Sequence, residues 1–201
     1  IKAVALNKEK KNVIGIIGLV ENLPSAHSQK PGDIIKMANG MTVEVADTDA
    51  EGRLVLADCL TYAQKNFKIK YMIDLATLTG AVTIALGSRF AGLFGNTEVL
   101  KRLLLDSSKR TEEPLWELPM DEYFDNAINS EVADIKNIAK SGTGAGSSTA
   151  AHFLKRFIEK DTYWSHIDIA GVAFRKEETN QSQSGASGFG VRLLADFISN
   201  L

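Results

Sequence analysis

The 201 residues hold one cysteine, Cys59, so no intrachain disulfide can form. That excludes a disulfide-stapled secreted fold and points to a reducing compartment. No charge of one sign dominates. Lys plus Arg number 23 and Asp plus Glu 25, a formal net charge of −2. Such a balance gives no strong global pull on nucleic acid or anionic membrane. Long apolar runs are missing too. The longest, Val13 to Val20, is broken by Gly15 and Gly18 and falls far short of a bilayer span. Lys8, Glu9, Lys10 and Lys11 come too early for the apolar core of a signal peptide. No repeat of fixed period is seen. His27, His152 and His166 are scattered, and no His-x-x-x-His or Cys-x-x-Cys spacing exists, which argues against a structural zinc site.

What is present is the composition of a soluble globular chain, 44% hydrophobic and 24% charged, enough to exclude wholesale disorder. Its length suits one compact domain. The first residue is Ile1, and Ile1 to Asn7 reads as the last turns of a helix. The expectation is a chain that starts in the middle of a fold, lacking an upstream part; a short native helix is the alternative.

Three apolar runs read as strands buried on both faces: Val13 to Glu21, Tyr71 to Leu78 and His166 to Phe174. Met41 to Val45 alternates like a short strand, while Asn22 to Gly40 reads mostly as loop. Helical spacing marks Leu54 to Phe67, Glu98 to Lys109, Thr149 to Lys160 with Thr149 as its N-cap, and Val191 to about Asn200. Ser141 to Ser148 and Lys176 to Gly190 are polar, glycine- and serine-rich loops. Strands alternating with helices predict an α/β fold: a sheet with helices packed on it and chemistry at the strand ends.

The densest chemical signal is Asp47-Thr48-Asp49-Ala50-Glu51-Gly52-Arg53. Were this segment extended, side chains two apart would point the same way, roughly 6.5–7 Å apart. Asp49 and Glu51 would then aim two carboxylates into one volume, a repulsion that a divalent cation relieves. Arg53 would face the same side and hold an anion. Three readings stand at this point: a metal site, a solvated acidic turn capping the next helix, and an Asp47-x-Asp49 motif of a nucleotide-sugar transferase. Elsewhere, His166 reads as a core histidine and Cys59 as an inert thiol. The Gly142-x-Gly144-x-Gly146 loop reads as an active-site wall before a phosphate cradle. Trp116 and Leu103 to Leu105 read as core or as a subunit contact.

The pattern Asp47-Thr-Asp-Ala-Glu-Gly-Arg-Leu54 closely resembles the Asn-Thr-Asp-Ala-Glu-Gly-Arg-Leu signature of the leucyl aminopeptidases. Glu21-Asn-Leu-Pro24, Pro31-Gly-Asp33, Asp74-Leu-Ala-Thr-Leu-Thr-Gly80, Trp164-Ser-His-Ile-Asp-Ile-Ala-Gly171 and Gly185-Ala-Ser-Gly188 resemble other segments of that family, in order. The resemblance implies a three-layer α/β/α catalytic domain with a mostly parallel central mixed sheet, here lacking its first part and the domain before it. It implies a cytoplasmic metallo-exopeptidase that releases N-terminal residues, leucine preferred, from peptides with a free N-terminus, and a hexamer in the intact protein. No membrane or nucleic-acid partner is expected.

By the same resemblance Asp49 and Glu51 are metal ligands, the former also through its carbonyl. The cofactors are two divalent ions, manganese or zinc, with magnesium or cobalt as alternatives. Arg53 is the catalytic residue that holds a bicarbonate. Thr77, Leu78, Gly80, Ala170 and Ala173 bind substrate. Asp47 departs from the family's Asn, and Gly188-Phe189-Gly190 replaces a Gly-Arg-Pro. The family's Lys-Gly-x-x-Phe-Asp-Ser-Gly-Gly segment, which supplies further ligands and a lysine, is absent from the 201 residues. The isolated chain is therefore expected to be impaired or inactive. The competing class is a non-catalytic assembly or nucleic-acid-binding protein of the same fold.

Overall fold

A computed structural model describes residues 1–175 and 184–201. In chain order the elements are α1 (Lys2–Leu6), β1 (Ile34–Lys36), β2 (Thr42–Glu44), a 3-10 turn (Thr48–Ala50), α2 (Gly52–Asn66), β3 (Tyr71–Ala76), α3 (Gly80–Leu86), β4 (Ala91–Gly95), α4 (Glu98–Thr111), β5 (Leu115–Glu117), α5 (Glu122–Asn126), β6 (Ile135–Lys136), α6 (Gly146–Lys155), β7 (Tyr163–Asp168), β8 (Phe174–Arg175), β9 (Gly185–Ala186) and α7 (Val191–Ser199). The architecture is mixed α/β, with helices packed on mostly parallel strands. The chain divides into two compact units, one of 1–15, 71–118 and 163–201, the other of 16–70 and 119–162.

The first unit is built on a four-stranded sheet of order β3-β7-β4-β5. β3 runs parallel to β7, β7 antiparallel to β4, and β4 parallel to β5. Its core joins Leu93 and Ile167 of the sheet to Leu100 and Leu104 of α4 and to Leu193 and Phe197 of α7. Burying these side chains is the main stabilising term of the unit. Leu104 is core while Trp116 stays 55% exposed beside Phe90. Gly190, in the left-handed region at φ 95°, is the N-cap of α7, and the orphan amides there are met from afar: the Glu113 carboxylate accepts from Gly190 N–H at 3.1 Å and Leu193 N–H at 2.8 Å.

Three expectations of strand placement change. The run Val13 to Glu21 has the composition of a buried strand but forms none, and Ile17, Leu19 and Val20 are 79%, 85% and 67% exposed. Apolar character alone does not supply a ladder partner. The strand expected over His166 to Phe174 is shifted: β7 starts earlier and ends at Asp168, and 169–173 form a turn held by Val172 and Ala173 N–H to Ile169 O. β4 forms where no strand is expected, because two of its five residues are glycine and weaken the local strand signal. Both glycines are close approaches: a Cβ at Gly92 would lie 2.9 Å from Val82 Cγ2, and one at Gly95 would lie 2.8 Å from Ser165 Oγ.

The second unit carries a three-stranded sheet of order β1-β2-β6, β1 antiparallel and β6 parallel to β2. α2 packs on α6, and α6 on α5. α6 starts at Gly146, not Thr149. Gly142 and Gly144 at positive φ turn the chain, and Ala145 in the left-handed region precedes the helix, so Thr149 lies inside it, its hydroxyl bonded to Gly146 O. Within this unit Val20 and its neighbours Ile16 and Leu19 flank an apolar groove of about 460 Å³ against Val55, Cys59 and Tyr62 of α2. Of the expected polar loop at Lys176 to Gly190, residues 176–183 lie outside the described residues.

Candidate functional site

The acidic loop is not an extended segment. Asp47 is extended (φ −138°, ψ 121°), but Asp49 lies in the 3-10 turn and Glu51 has helical angles (φ −82°, ψ −32°) just before α2. The cause is Asp47 itself, whose Oδ1 accepts the Asp49 N–H at 3.0 Å and winds the chain. Side chains two apart on a 3-10 or α turn point roughly 120–160° apart about the axis. The alternation argument for convergence of Asp49 and Glu51 therefore fails. What the turn does instead is place both acids at the start of α2, where the helix dipole favours negative charge. Asp49 is exposed, Glu51 half-buried with Asn22 Nδ2 3.4 Å from its Oε1, and Arg53 is 8% exposed in the first turn of α2.

A residue that sequence reasoning missed holds this loop. Asn137, fully buried just past β6, accepts from Ala46 N–H at 2.9 Å and Asp47 N–H at 3.2 Å through Oδ1. Its Nδ2 donates to Asp47 O and, at 3.4 Å, to Ala50 O. One amide thus satisfies both sides of the loop backbone. Nothing in the local sequence around Asn137 signals this, because its partners lie about ninety residues away.

The residues expected to bind substrate belong to the other unit. β3 and β7 run parallel, and at their C-terminal ends follow two turns, 77–80 and 169–173. The ladder is extended by Ile169 N–H to Ala76 O at 2.9 Å. Thr77 and Gly80 are exposed, Leu78, Ala170 and Ala173 half-buried. The structure brings Leu78 and Ala170 onto one side chain, Asp168, fully buried at the end of β7. Thr79 caps α3 by accepting the Val82 N–H at 3.2 Å. In α/β sheets the crevice outside the carboxyl ends of parallel strands is where ligands bind. Deeper in the same strands, Asp74 pairs with His166 Nδ1 and accepts the Trp164 Nε1–H at 2.7 Å; His166 is fully buried and stacked on Phe94, as a core histidine. Cys59 is half-buried, and burial with the Asp58 charge beside it pushes its thiol up, which slows nucleophilic chemistry.

The donors at 49–51 are set against the needs of two metal ions. Hard carboxylate oxygens suit Mn, Mg or Zn. Among the described residues, however, no group of three or more His, Cys, Asp or Glu side chains could hold a metal ion. Asp49 and Glu51 are hard carboxylate donors, but two acids do not complete the shells of two ions.

A family model described as "Cytosol aminopeptidase family, catalytic domain" matches residues 1–195, and the chain belongs to that family. It is 50% identical over 196 residues to a probable cytosol aminopeptidase of Rickettsia bellii (strain OSU 85-389), covering 98% of this chain and 39% of that protein. It is 52% identical over 196 residues to the corresponding protein of Phytoplasma australiense, covering 98% and 40%. The solved structure of a tomato leucine aminopeptidase mutant superimposes with a TM-score of 0.83 at 40% identity, covering 90% of this chain and 34% of that one. The chain thus spans about two fifths of the length of these curated relatives. Among the described residues no helix is long and apolar enough to cross a membrane.

Proposed function

We propose that this chain is the metal-binding and substrate-recognising part of a cytoplasmic, metal-dependent aminopeptidase that releases N-terminal residues, leucine preferred, from peptides with a free N-terminus. The observation that carries the proposal is family membership over residues 1–195, joined to an acidic loop whose backbone is fixed on both sides by one buried amide. Asp49 and Glu51 would hold divalent ions, manganese or zinc and alternatively magnesium or cobalt. Such ions supply a water of lowered pKa and polarise the scissile carbonyl.

Arg53, in the first turn of α2, supplies a cationic group for a bicarbonate. Leu78 and Gly80 would offer backbone groups at the end of β3 to an extended peptide, and the exposed Thr77 and Gly80 would line the side-chain pocket. Ala170 and Ala173, small and half-buried, leave room for an apolar side chain of the N-terminal residue. Two metals need on the order of ten ligand positions. Two carboxylates and a carbonyl leave most of them to other donors. In the intact protein, assembly as a hexamer is proposed with the activity. Nucleic acid is not a proposed partner.

The test is manganese-dependent hydrolysis of leucyl-p-nitroanilide. The intact protein should turn over, and Glu51→Gln in it should lower kcat at least a hundredfold. The 201-residue chain alone should hydrolyse the substrate poorly or not at all. Full-rate hydrolysis by the chain alone, or an unaffected Glu51→Gln, would overturn the assignment.

A further inference from the structure

Asp168 is the last residue of β7 and has no exposed surface. A buried carboxylate is costly to desolvate unless its oxygens are fully engaged. Here both oxygens are used, and neither serves its own strand. Oδ1 accepts the Leu78 N–H at 3.1 Å and the Ala170 N–H at 3.2 Å. Oδ2 accepts the Thr79 hydroxyl at 2.6 Å. One oxygen therefore ties the turn after β3 to the turn after β7, while the other orients the hydroxyl that caps α3. Charge-assisted bonds of this kind are the stronger members of their class.

The turn after β7 is seated from its other side as well. A Cβ at Gly171 would lie 2.2 Å from Gly87 O, so the backbone at 170–171 rests directly on the end of α3. Ser187 closes it from below, donating its N–H to Ala173 O at 2.9 Å and its hydroxyl to Val172 O at 2.7 Å. Only Asp168 connects Leu78 and Ala170 to each other among these contacts.

We propose that Asp168 is a positioning residue that sets the width of the recess for the substrate's N-terminal side chain, by fixing Leu78 and Thr79 against Ala170. This rests on the aminopeptidase reading and adds to it the source of side-chain selectivity. Asp168 itself does not face the substrate; it acts through the backbone of two turns. Its loss should let those turns drift apart, so that the recess discriminates less between a branched and a small side chain.

The test compares Asp168→Asn with the parental protein, using the intact protein loaded with manganese. Asparagine keeps the shape and one acceptor oxygen but presents an amide donor where Thr79 now donates. The expected result is a rise in KM for the leucyl substrate with a smaller change in kcat. The kcat/KM preference for leucyl over alanyl p-nitroanilide should fall about tenfold. Manganese affinity, measured by calorimetry, should be unchanged. Amide exchange at Leu78 and Ala170 should speed up in the variant.

Thr79→Val and Thr79→Ser keep the question open if Asp168→Asn does not fold. The valine should shift selectivity in the same direction, and the serine, which keeps the hydroxyl, should restore it. An active parental enzyme whose variants lose turnover equally on both substrates, or keep their selectivity, overturns the positioning role. A parental enzyme inactive on every aminoacyl substrate overturns the aminopeptidase reading instead.

Discussion

Asn137 meets four backbone groups of a single loop, and no other side chain could do so without both a carbonyl and an amine at its tip. Alanine there leaves two N–H donors and the Asp47 carbonyl of a part-buried loop without their side-chain partner. Unsatisfied groups destabilise by roughly 1–3 kcal/mol each when buried, and by less where, as at Ala46, the backbone is open to water. Asn137→Ala should therefore lower stability by about 3 kcal/mol, or Tm by about 6–12 °C in a chain of this size. It should also weaken manganese binding about tenfold or more, because residues that hold a ligand loop count nearly as much as ligands. Melting curves with and without manganese check both parts. A variant as stable as the parent would mean that the loop winds by Asp47 alone.

Among the elements, α6 carries a buried titration. His152 is 1% exposed, its Nδ1 3.3 Å from Asp125 Oδ1, while Arg156 clamps both oxygens of the same carboxylate at 2.7 and 2.8 Å. Burial holds the imidazole below its ordinary pKa of 6.5, outweighing the pull of Asp125, with Lys155 and Arg156 adding to the depression. The folded state thus binds a proton less readily than the unfolded one. Its stability contribution is whole above the ordinary value and is lost as pH falls below it. Asp125 works in a separate window: burial raises it, but Arg156 outweighs that and sets it below 3.8, so its contribution persists until far more acid conditions. Tm should accordingly fall between about pH 7 and pH 5, and His152→Gln, which cannot charge, should flatten that slope. An equal slope in the variant would assign the effect elsewhere.

The same scale shows where sequence was legible. α2, α4, α7 and β3 carry their period or a short apolar run in a single local window, and each stands close to where that window predicts. The run at Val13 to Glu21 carries the same local signal, yet a strand is made by its neighbours and none pairs with it here. β4 has the opposite history: glycines weaken its local signal, but its close neighbours admit nothing larger. The acidic segment is wound where alternation predicts extension, because the winding at 47–51 depends on a side chain two residues back and an amide ninety residues on.

At the scale of the whole molecule, the acidic loop belongs to the unit of 16–70 and 119–162, and the turns at 77–80 and 169–173 to the other. A metal held by Asp49 and Glu51 should stabilise only the unit that carries them. With two carboxylates and a carbonyl against the order of ten positions that two ions require, affinity in the 201-residue chain should be weak, about millimolar. At 10 mM manganese such a site stabilises by about 1.4 kcal/mol, from RT ln(1 + [L]/Kd). That corresponds to a Tm rise of about 3–6 °C. If the two units melt separately in calorimetry, only one transition should move, and Asp49→Asn with Glu51→Gln should abolish the movement. A micromolar site in the isolated chain would require ligands beyond these two acids, and a shift that survives the double substitution would place the ion elsewhere.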